Sequence, residues 1–383
     1  MYEVRQLIGG EGRADGEDGH LTVVRPADGS PVSRFPVASA AEVAAAVKAA
    51  RDASSGWART PAAERAAALH RAANALEAAS EEIAEAQHAE MGRPLRGARA
   101  GVAAGVATLR QYAELGPLHR GRSLAGEVDA IDFMTPEPRG VVAAITPWND
   151  PVAVSCGLLG AALVTGNAVI YKPSERTPAT GWLLVRVLAE HVPAGVLSMV
   201  TGDGAVGASL AAQEVDVVAH VGSTATGRSI AAACALTGAK ALLENGGSDP
   251  LIVDAGVNPD WAADQAAWGA FTNSGQLCTA VERIYVHRSV ADAFIDHLVR
   301  RCRDLRLEPG NGPVEWGPLV DLRHRNEVHA KVQAAIEDGA RVLCGGEIPA
   351  GPGAFYPPTV LVDCTDDMAV MREETFGPVA PVA

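Results

Sequence analysis

The chain has no CxxC pair and no cluster of cysteine with histidine. Its cysteines stand apart at 156, 234, 278, 302, 344 and 364, a spread that suggests neither a zinc site nor a disulfide framework. Scattered thiols in a large acidic chain fit a reducing cytoplasm. Positive charge is also short: 32 Lys and Arg face 46 Asp and Glu, for a net charge of −14. That balance argues against nucleic acid or an anionic membrane as a partner. The stretch Met1-Tyr2-Glu3-Val4-Arg5 has no apolar core of a signal peptide. The longest apolar-leaning run, 152–164, is too short to span a bilayer and contains Ser155 and two glycines, so it reads as a buried helix. No internal repeat or low-complexity segment stands out.

What remains is a globular composition. Of 383 residues, 48% are hydrophobic and 20% charged, enough for two domains with sizeable cores. Residues 1–38, rich in Gly, Asp and Pro, read as loops with short strands. Ser39-Ala40-Ala41-Glu42 is a capping box, and a helix is expected from there to about residue 53. Thr60-Pro61 starts another, with proline at the first helical position. Alanine-rich amphipathic segments continue to about Leu115, and 126–138 looks extended and polar. Short apolar runs at 141–145, 168–171, 197–200, 215–221 and 241–244 then alternate with helical segments, the pattern of βαβ units around a parallel sheet. A first α/β domain is expected to end near residue 244. A second α/β unit follows, with strands at 251–253, 283–286, 341–343 and, last, 359–362. Its helices are expected at 261–273, 290–303 and 326–338.

Several short motifs carry chemistry. Gly222-Ser223-Thr224-Ala225-Thr226-Gly227 follows a strand and opens a helix, where backbone amides can meet a pyrophosphate; a plain βα turn has the same look. Lys172-Pro173-Ser174-Glu175 lies just after another strand, and is either a ribose-binding pair or a solvated loop. Thr146-Pro147-Trp148-Asn149 ends a strand, so Asn149 is either an oxyanion donor or a turn asparagine. Glu244 closes the run Ala241-Leu242-Leu243, which looks buried, and is either a capping acid or a base. Cys278 follows a Gly-Gln pair that can break a helix and present the thiol.

Taken together, Phe271-Thr272-Asn273-Ser274-Gly275-Gln276-Leu277-Cys278, Glu244-Asn245-Gly246-Gly247, Lys172-Pro173-Ser174-Glu175, Thr146-Pro147-Trp148-Asn149 and Glu373-Glu374-Thr375-Phe376-Gly377-Pro378 resemble the ordered motifs of the NAD(P)-dependent aldehyde dehydrogenase superfamily. The resemblance covers essentially the whole chain. It implies a Rossmann-like dinucleotide-binding domain (1–125 and 139–244), a small oligomerisation flap (126–138) and a second α/β catalytic domain (245–383). It also implies that Cys278 attacks an aldehyde, that Asn149 steadies the oxyanion, and that Glu244 activates the water that hydrolyses the thioester. Lys172 and Glu175 match the ribose pair, Gly222 and Ser223 the pyrophosphate contacts, and Trp148, Gly204 and Asn245 other residues near the dinucleotide. Glu374 and Phe376 match the pair that holds the nicotinamide ribose and ring. Glu175 favours NAD over NADP, because a carboxylate repels a 2′-phosphate. No metal is implied, and a homo-oligomer is expected of the full family fold.

The departures matter too. Asn245 stands where the family has Leu, and Ser248 where it has Lys. Asp150 and Gly157 replace apolar or aromatic residues of the substrate tunnel, to which Leu277 also belongs. A wider tunnel with an acidic wall suggests a polar or cationic aldehyde. Asp150 can also raise the Cys278 pKa by like-charge repulsion. The sequence stops at Ala383, before the family's last strands, which implies a C-terminally incomplete second domain with an exposed sheet edge. Two alternatives stand beside the leading reading: a non-catalytic remnant that binds NAD, and an NADP-linked semialdehyde dehydrogenase.

Overall fold

The computed structural model describes residues 1–305 and 317–383. They group into two compact units: residues 1–23, 33–86 and 99–245, and residues 24–32, 87–98 and 246–383.

The first unit is built on a seven-stranded sheet. Short β1 (Gln6–Ile8) and β2 (Glu11–Arg13) come first, then β3 (Val141–Ile145), β4 (Ala168–Lys172), β5 (Leu197–Met199), β6 (Val217–Val221) and β7 (Lys240–Glu244). The order is β7-β6-β3-β4-β5-β1-β2. Strands β3 to β7 are mutually parallel, and β1 joins β5 antiparallel. Every residue of β3 and β4 is buried, which is why these strands read as continuous apolar runs. The chain steps outward from β3 to β4 and β5, then returns to lay β6 on the other side of β3. Strand order therefore reverses between β3 and β6, a topological switch point of an open α/β sheet.

The capping box forms as expected. Ser39 Oγ accepts from the Glu42 amide at 3.1 Å, and Glu42 accepts from the Ser39 amide at 2.9 Å. The helix Ala40–Arg59 packs Val43, Ala46 and Ala50 with Val141, Ala143, Ala168 and Ile170 of the sheet. It outruns its expected end because Trp57 is buried and its indole N–H donates to the Leu163 carbonyl at 2.9 Å. Pro61 is the N-cap of the next helix, Ala62–Ala78, rather than its first helical residue. Thr60 and Pro61 both remain extended, with ψ of 129° and 141°. The stretch expected to be extended holds one strand, Asp132–Met134, paired antiparallel with Arg122–Leu124.

One burial expectation is corrected. The run ending in Glu244 is not enclosed: among the described residues β7 pairs only with β6, its exposure alternates along the strand, and Leu242 is 52% exposed.

In the second unit, Asp249–Val253 pairs parallel with Val281–Val286. Thr359–Val362 pairs antiparallel with Arg341–Cys344 and parallel with Val379–Pro381. The segment Val379–Ala383 joins these ladders. Ile284 bridges Val382, the Ala383 amide donates to the Ile284 carbonyl at 2.8 Å, and the Val286 amide donates to the Ala383 carbonyl at 3.1 Å. Thr359–Val362 is therefore not the last strand of the sequence. Helices Pro259–Phe271 and Ala291–Asp304 bury Ala266, Ala270, Phe294 and Leu298 against Ile284, Val360 and Ala380. Helix Leu322–Glu337 starts four residues earlier than expected, capped by Asp321, which accepts from the His324 amide at 2.7 Å. Ile252, Trp261 and Trp268 are exposed on this unit. No helix among the described residues is long and apolar enough to cross a membrane.

Candidate active site

The first unit gathers one set of expected residues at the carboxyl edge of its sheet. Strand β3 runs into Thr146-Pro147-Trp148-Asn149, and the Thr146 amide is held by the Lys172 carbonyl at 3.1 Å. Asn149 is buried beside the start of helix Pro151–Val164. Across the switch point, β6 ends at Gly222-Ser223. The Gly222 amide donates to the Glu244 carbonyl at 3.0 Å, and Ser223 caps helix Thr224–Thr237 by accepting from the Thr226 amide at 3.2 Å. A Cβ at position 222 would lie 2.7 Å from the His220 ring, which would have to move aside. Asn245 packs its amide against Gly227 in the first turn of this helix. A glycine turn feeding a helix N-terminus favours anionic oxygens.

Lys172 closes β4 and is buried, its ammonium donating to the Pro173 carbonyl at 3.0 Å. Burial pulls its pKa below the usual lysine range, while the charges of Glu175 and Asp203 oppose that shift. Ser174 donates to Glu175 at 3.3 Å, and the Arg176 guanidinium lies 5.2 Å over the Trp148 ring. Gly204 opens the helix Gly204–Ala211 on the surface, and nothing lies within 4 Å of where its Cβ would stand. Glu244 is exposed at the end of β7.

Asp150 occupies the N-cap position of helix Pro151–Val164, and Gly157 opens onto free space, with no atom within 4 Å of a would-be Cβ. Within this unit the like-charge effect of Asp150 falls on Cys156, whose thiol is pushed up first by burial and then by that carboxylate.

The second unit carries the remaining residues. Helix Pro259–Phe271 is broken by three successive left-handed residues, Asn273 (φ 51°), Ser274 (φ 58°) and Gly275 (φ 70°). Only glycine adopts this region freely; for L-residues it costs roughly 1–2 kcal/mol each. The conformation is held by buried side chains. Asn273 Nδ2 donates to the Gln276 carbonyl at 3.2 Å, and Gln276 Nε2 donates back to the Asn273 carbonyl at 3.0 Å. Gln276 Oε1 accepts from the Val320 amide at 2.9 Å. A Cβ at Gly275 would collide with the Gly377 carbonyl. The chain then leaves Leu277 half-buried and Cys278 exposed. Of the other cysteines, Cys344 is half-buried and Cys156, Cys234, Cys302 and Cys364 are buried.

In the same unit, Glu374 accepts from the Gly247 amide at 3.4 Å, and burial raises its pKa. Gly246 faces the Glu374 carboxylate so closely that a Cβ would strike it. Phe376 has φ 54°. The Ser248 carbonyl accepts twice from Arg283, at 2.9 and 2.7 Å.

Four residues that shape these loops went unread in the sequence: Ser274, Glu282, His324 and Lys331. Glu282 had a readable signal. It shares strand parity with Ile284, so period-two alternation places a carboxylate on the buried face, where it is 3% exposed. The other three carry no local signature for these contacts, because the partners lie far away in the sequence.

Known proteins agree with this architecture. Lactaldehyde dehydrogenase from Escherichia coli is 32% identical, with a TM-score of 0.96 over 99% of this chain and 81% of that one. An E. coli NADP dependent enzyme is 34% identical, with a TM-score of 0.96 over 100% of this chain and 80% of its own. Betaine aldehyde dehydrogenase from Staphylococcus aureus, in complex with NAD+, is 28% identical, with a TM-score of 0.96 over 100% and 78%. These likenesses define an oxidoreductase that acts on aldehydes. The aldehyde dehydrogenase family profile matches residues 14–383, and the chain belongs to that family.

Proposed function

We propose that this protein oxidises an aldehyde to the carboxylic acid with NAD as hydride acceptor, using Cys278 as the nucleophile. The observation that carries the reading is the exposure of Cys278 at the end of a left-handed loop held by buried hydrogen bonds. The residues at the sheet edge suit a dinucleotide. The Gly222-Ser223 turn and its helix N-terminus suit a pyrophosphate, and Lys172 with Glu175 suits ribose hydroxyls. Glu175 at the ribose favours NAD over NADP. When bound, the dinucleotide supplies the acceptor for hydride.

The protein's own groups do the rest. The Cys278 thiolate adds to the carbonyl carbon, and Asn149 donates to the oxygen on which negative charge develops. Loss of hydride from this adduct leaves a thioester on Cys278. Glu244 takes a proton from water, which attacks the thioester and releases the acid and the free thiolate. Residues 1–125 and 139–244 serve as the dinucleotide domain and 245–383 as the catalytic domain in this scheme. Gly157, facing free space, and Asp150 favour a polar or cationic aldehyde. The exposed stretch 126–138, which holds strand Asp132–Met134, serves as the oligomerisation flap, and six scattered cysteines fit a cytoplasmic setting.

The test is NADH formation by purified protein over a panel of aldehydes, with NADP in parallel. Turnover abolished by Cys278→Ala supports the reading. NAD binding without turnover of any aldehyde points to a non-catalytic remnant.

A further inference from the structure

The loop that carries Glu374 and Phe376 owes its shape to one buried carboxylate. Glu282 Oε2 accepts from the Thr375 amide at 2.9 Å, and Oε1 accepts from the Phe376 amide at 2.7 Å. Neighbouring carbonyls are taken by helix Leu322–Glu337. Lys331 donates to the Glu374 carbonyl at 2.5 Å, and His324 Nε2 lies 2.8 Å from the Phe376 carbonyl. Between these two carbonyls the loop turns through Phe376 in the left-handed region, where a bulky residue persists only when its surroundings over-determine it. Glu282 belongs to strand Val281–Val286, which follows directly on Cys278. One short segment therefore carries both the reactive thiol and the anchor of the Glu374 loop.

We propose that Glu282 is a positioning residue: its ionised carboxylate, by taking two consecutive amides, sets the Glu374–Phe376 loop for dinucleotide binding. This rests on the reading that Glu374 and Phe376 hold the nicotinamide ribose and ring. A protonated Glu282 keeps one acceptor oxygen but presents an O–H to the second amide, so one hydrogen bond is lost and the loop slackens. The charged groups around it are Glu374 and Lys331, with Glu373 on Lys331 and His324 on the Phe376 carbonyl. Burial lifts the Glu282 pKa to about 7 against the opposing pull of the two amides, which places the change near neutrality.

The experiment measures kcat/KM for NAD from below to above neutral pH, in wild type, Glu282→Gln and Glu374→Gln. Wild type is expected to lose about tenfold on the acid side, the worth of one hydrogen bond to a charged group. Glu282→Gln is expected to be weak at every pH and without that break. Its Cys278 is still alkylated by iodoacetamide at the wild-type rate in the absence of NAD. A wild-type profile flat through neutrality overturns the proposal, as does a Glu282→Gln profile that matches wild type. If Glu374→Gln weakens NAD use while Glu282→Gln does not, the role of Glu282 fails alone. If Glu374→Gln has no effect, the loop's assignment to the dinucleotide fails instead.

Discussion

Ser274 and Gly317 exchange two hydrogen bonds: Ser274 Oγ donates to the Gly317 carbonyl at 2.7 Å and accepts from the Gly317 amide at 3.1 Å. A single hydroxyl thereby satisfies both backbone groups of a residue 43 positions away and pins the left-handed turn that leads to Cys278. Ser274→Ala removes both bonds and leaves the two Gly317 groups without that hydroxyl. A loss of roughly 1–3 kcal/mol is expected in urea denaturation. Turnover should fall with KM for NAD unchanged, because the turn presents the thiol rather than the dinucleotide contacts.

Thiol reactivity should follow exposure. Cys278 is exposed while Cys156, Cys234, Cys302 and Cys364 are buried. Limiting iodoacetamide is expected to label Cys278 first, with NADH formation lost in step, as read by peptide mass mapping. Labelling of a buried cysteine ahead of Cys278 would contradict the arrangement of the loop.

Lys172 sets stability against binding. Its amine is buried and its pKa is lowered, so below the ordinary lysine range the folded state bears the cost of enclosing this group. Lys172→Met is expected to weaken NAD binding at least tenfold, by loss of a ribose hydrogen bond to a charged donor, while holding or raising the melting temperature. The folded protein releases this proton at lower pH than the unfolded chain. Wild-type stability therefore rises as pH climbs through the lowered lysine pKa, and the advantage of Lys172→Met shrinks across the same window.

Gly157 is a helical glycine with free space where a Cβ would stand. Gly157→Ala should stabilise the fold by about 0.5–1 kcal/mol, the usual gain from removing an interior helical glycine. Gly157→Phe should keep the fold and depress turnover of the bulkiest aldehydes. Equal turnover of cationic, neutral and anionic aldehydes by wild type and Asp150→Ala would remove the preference proposed for Asp150.

Glu282 leaves a mark on pH-dependent stability. Its folded pKa is raised to about 7, so the native state holds this proton more tightly than the unfolded chain does. Relative to Glu282→Gln, wild type should lose stability as pH rises from the ordinary carboxyl range to about 7 and stay level above it. A shift of this size corresponds to about 3 kcal/mol. Urea melts of both proteins at several pH values check the slope.

Most of the first unit was legible because its strands are covered on both faces. Val141–Ile145 is apolar throughout and Ala168–Lys172 is apolar-leaning up to its closing lysine, and little else in a sequence looks like that. The capping box of Ser39 and Glu42 was equally plain, since both partners lie within one turn. The run before Glu244 was misread as buried because edge and centre strands share the same apolar residues; what separates them is its place at the end of the sheet order, beside β6, among the described residues. The strand Val379–Pro381 was missed because three residues ending in proline have no pattern of their own. It is a strand because Thr359–Val362 offers it a ladder, which Val382 and Ala383 extend to Val281–Val286.

The sequence by itself determined the central strands of the first unit, the Ser39–Glu42 cap and the list of chemically capable residues, because each depends on contacts within a few positions. The tertiary structure alone decided how Cys278 is presented and how Glu374 and Phe376 are held. Those arrangements depend on Ser274 meeting Gly317, Gln276 meeting Val320, and Glu282 meeting the Thr375 and Phe376 amides, pairs 43 to 94 residues apart. Left-handed backbone at Asn273, Ser274 and Phe376 is unfavourable locally, and it exists only where these distant partners outweigh its cost.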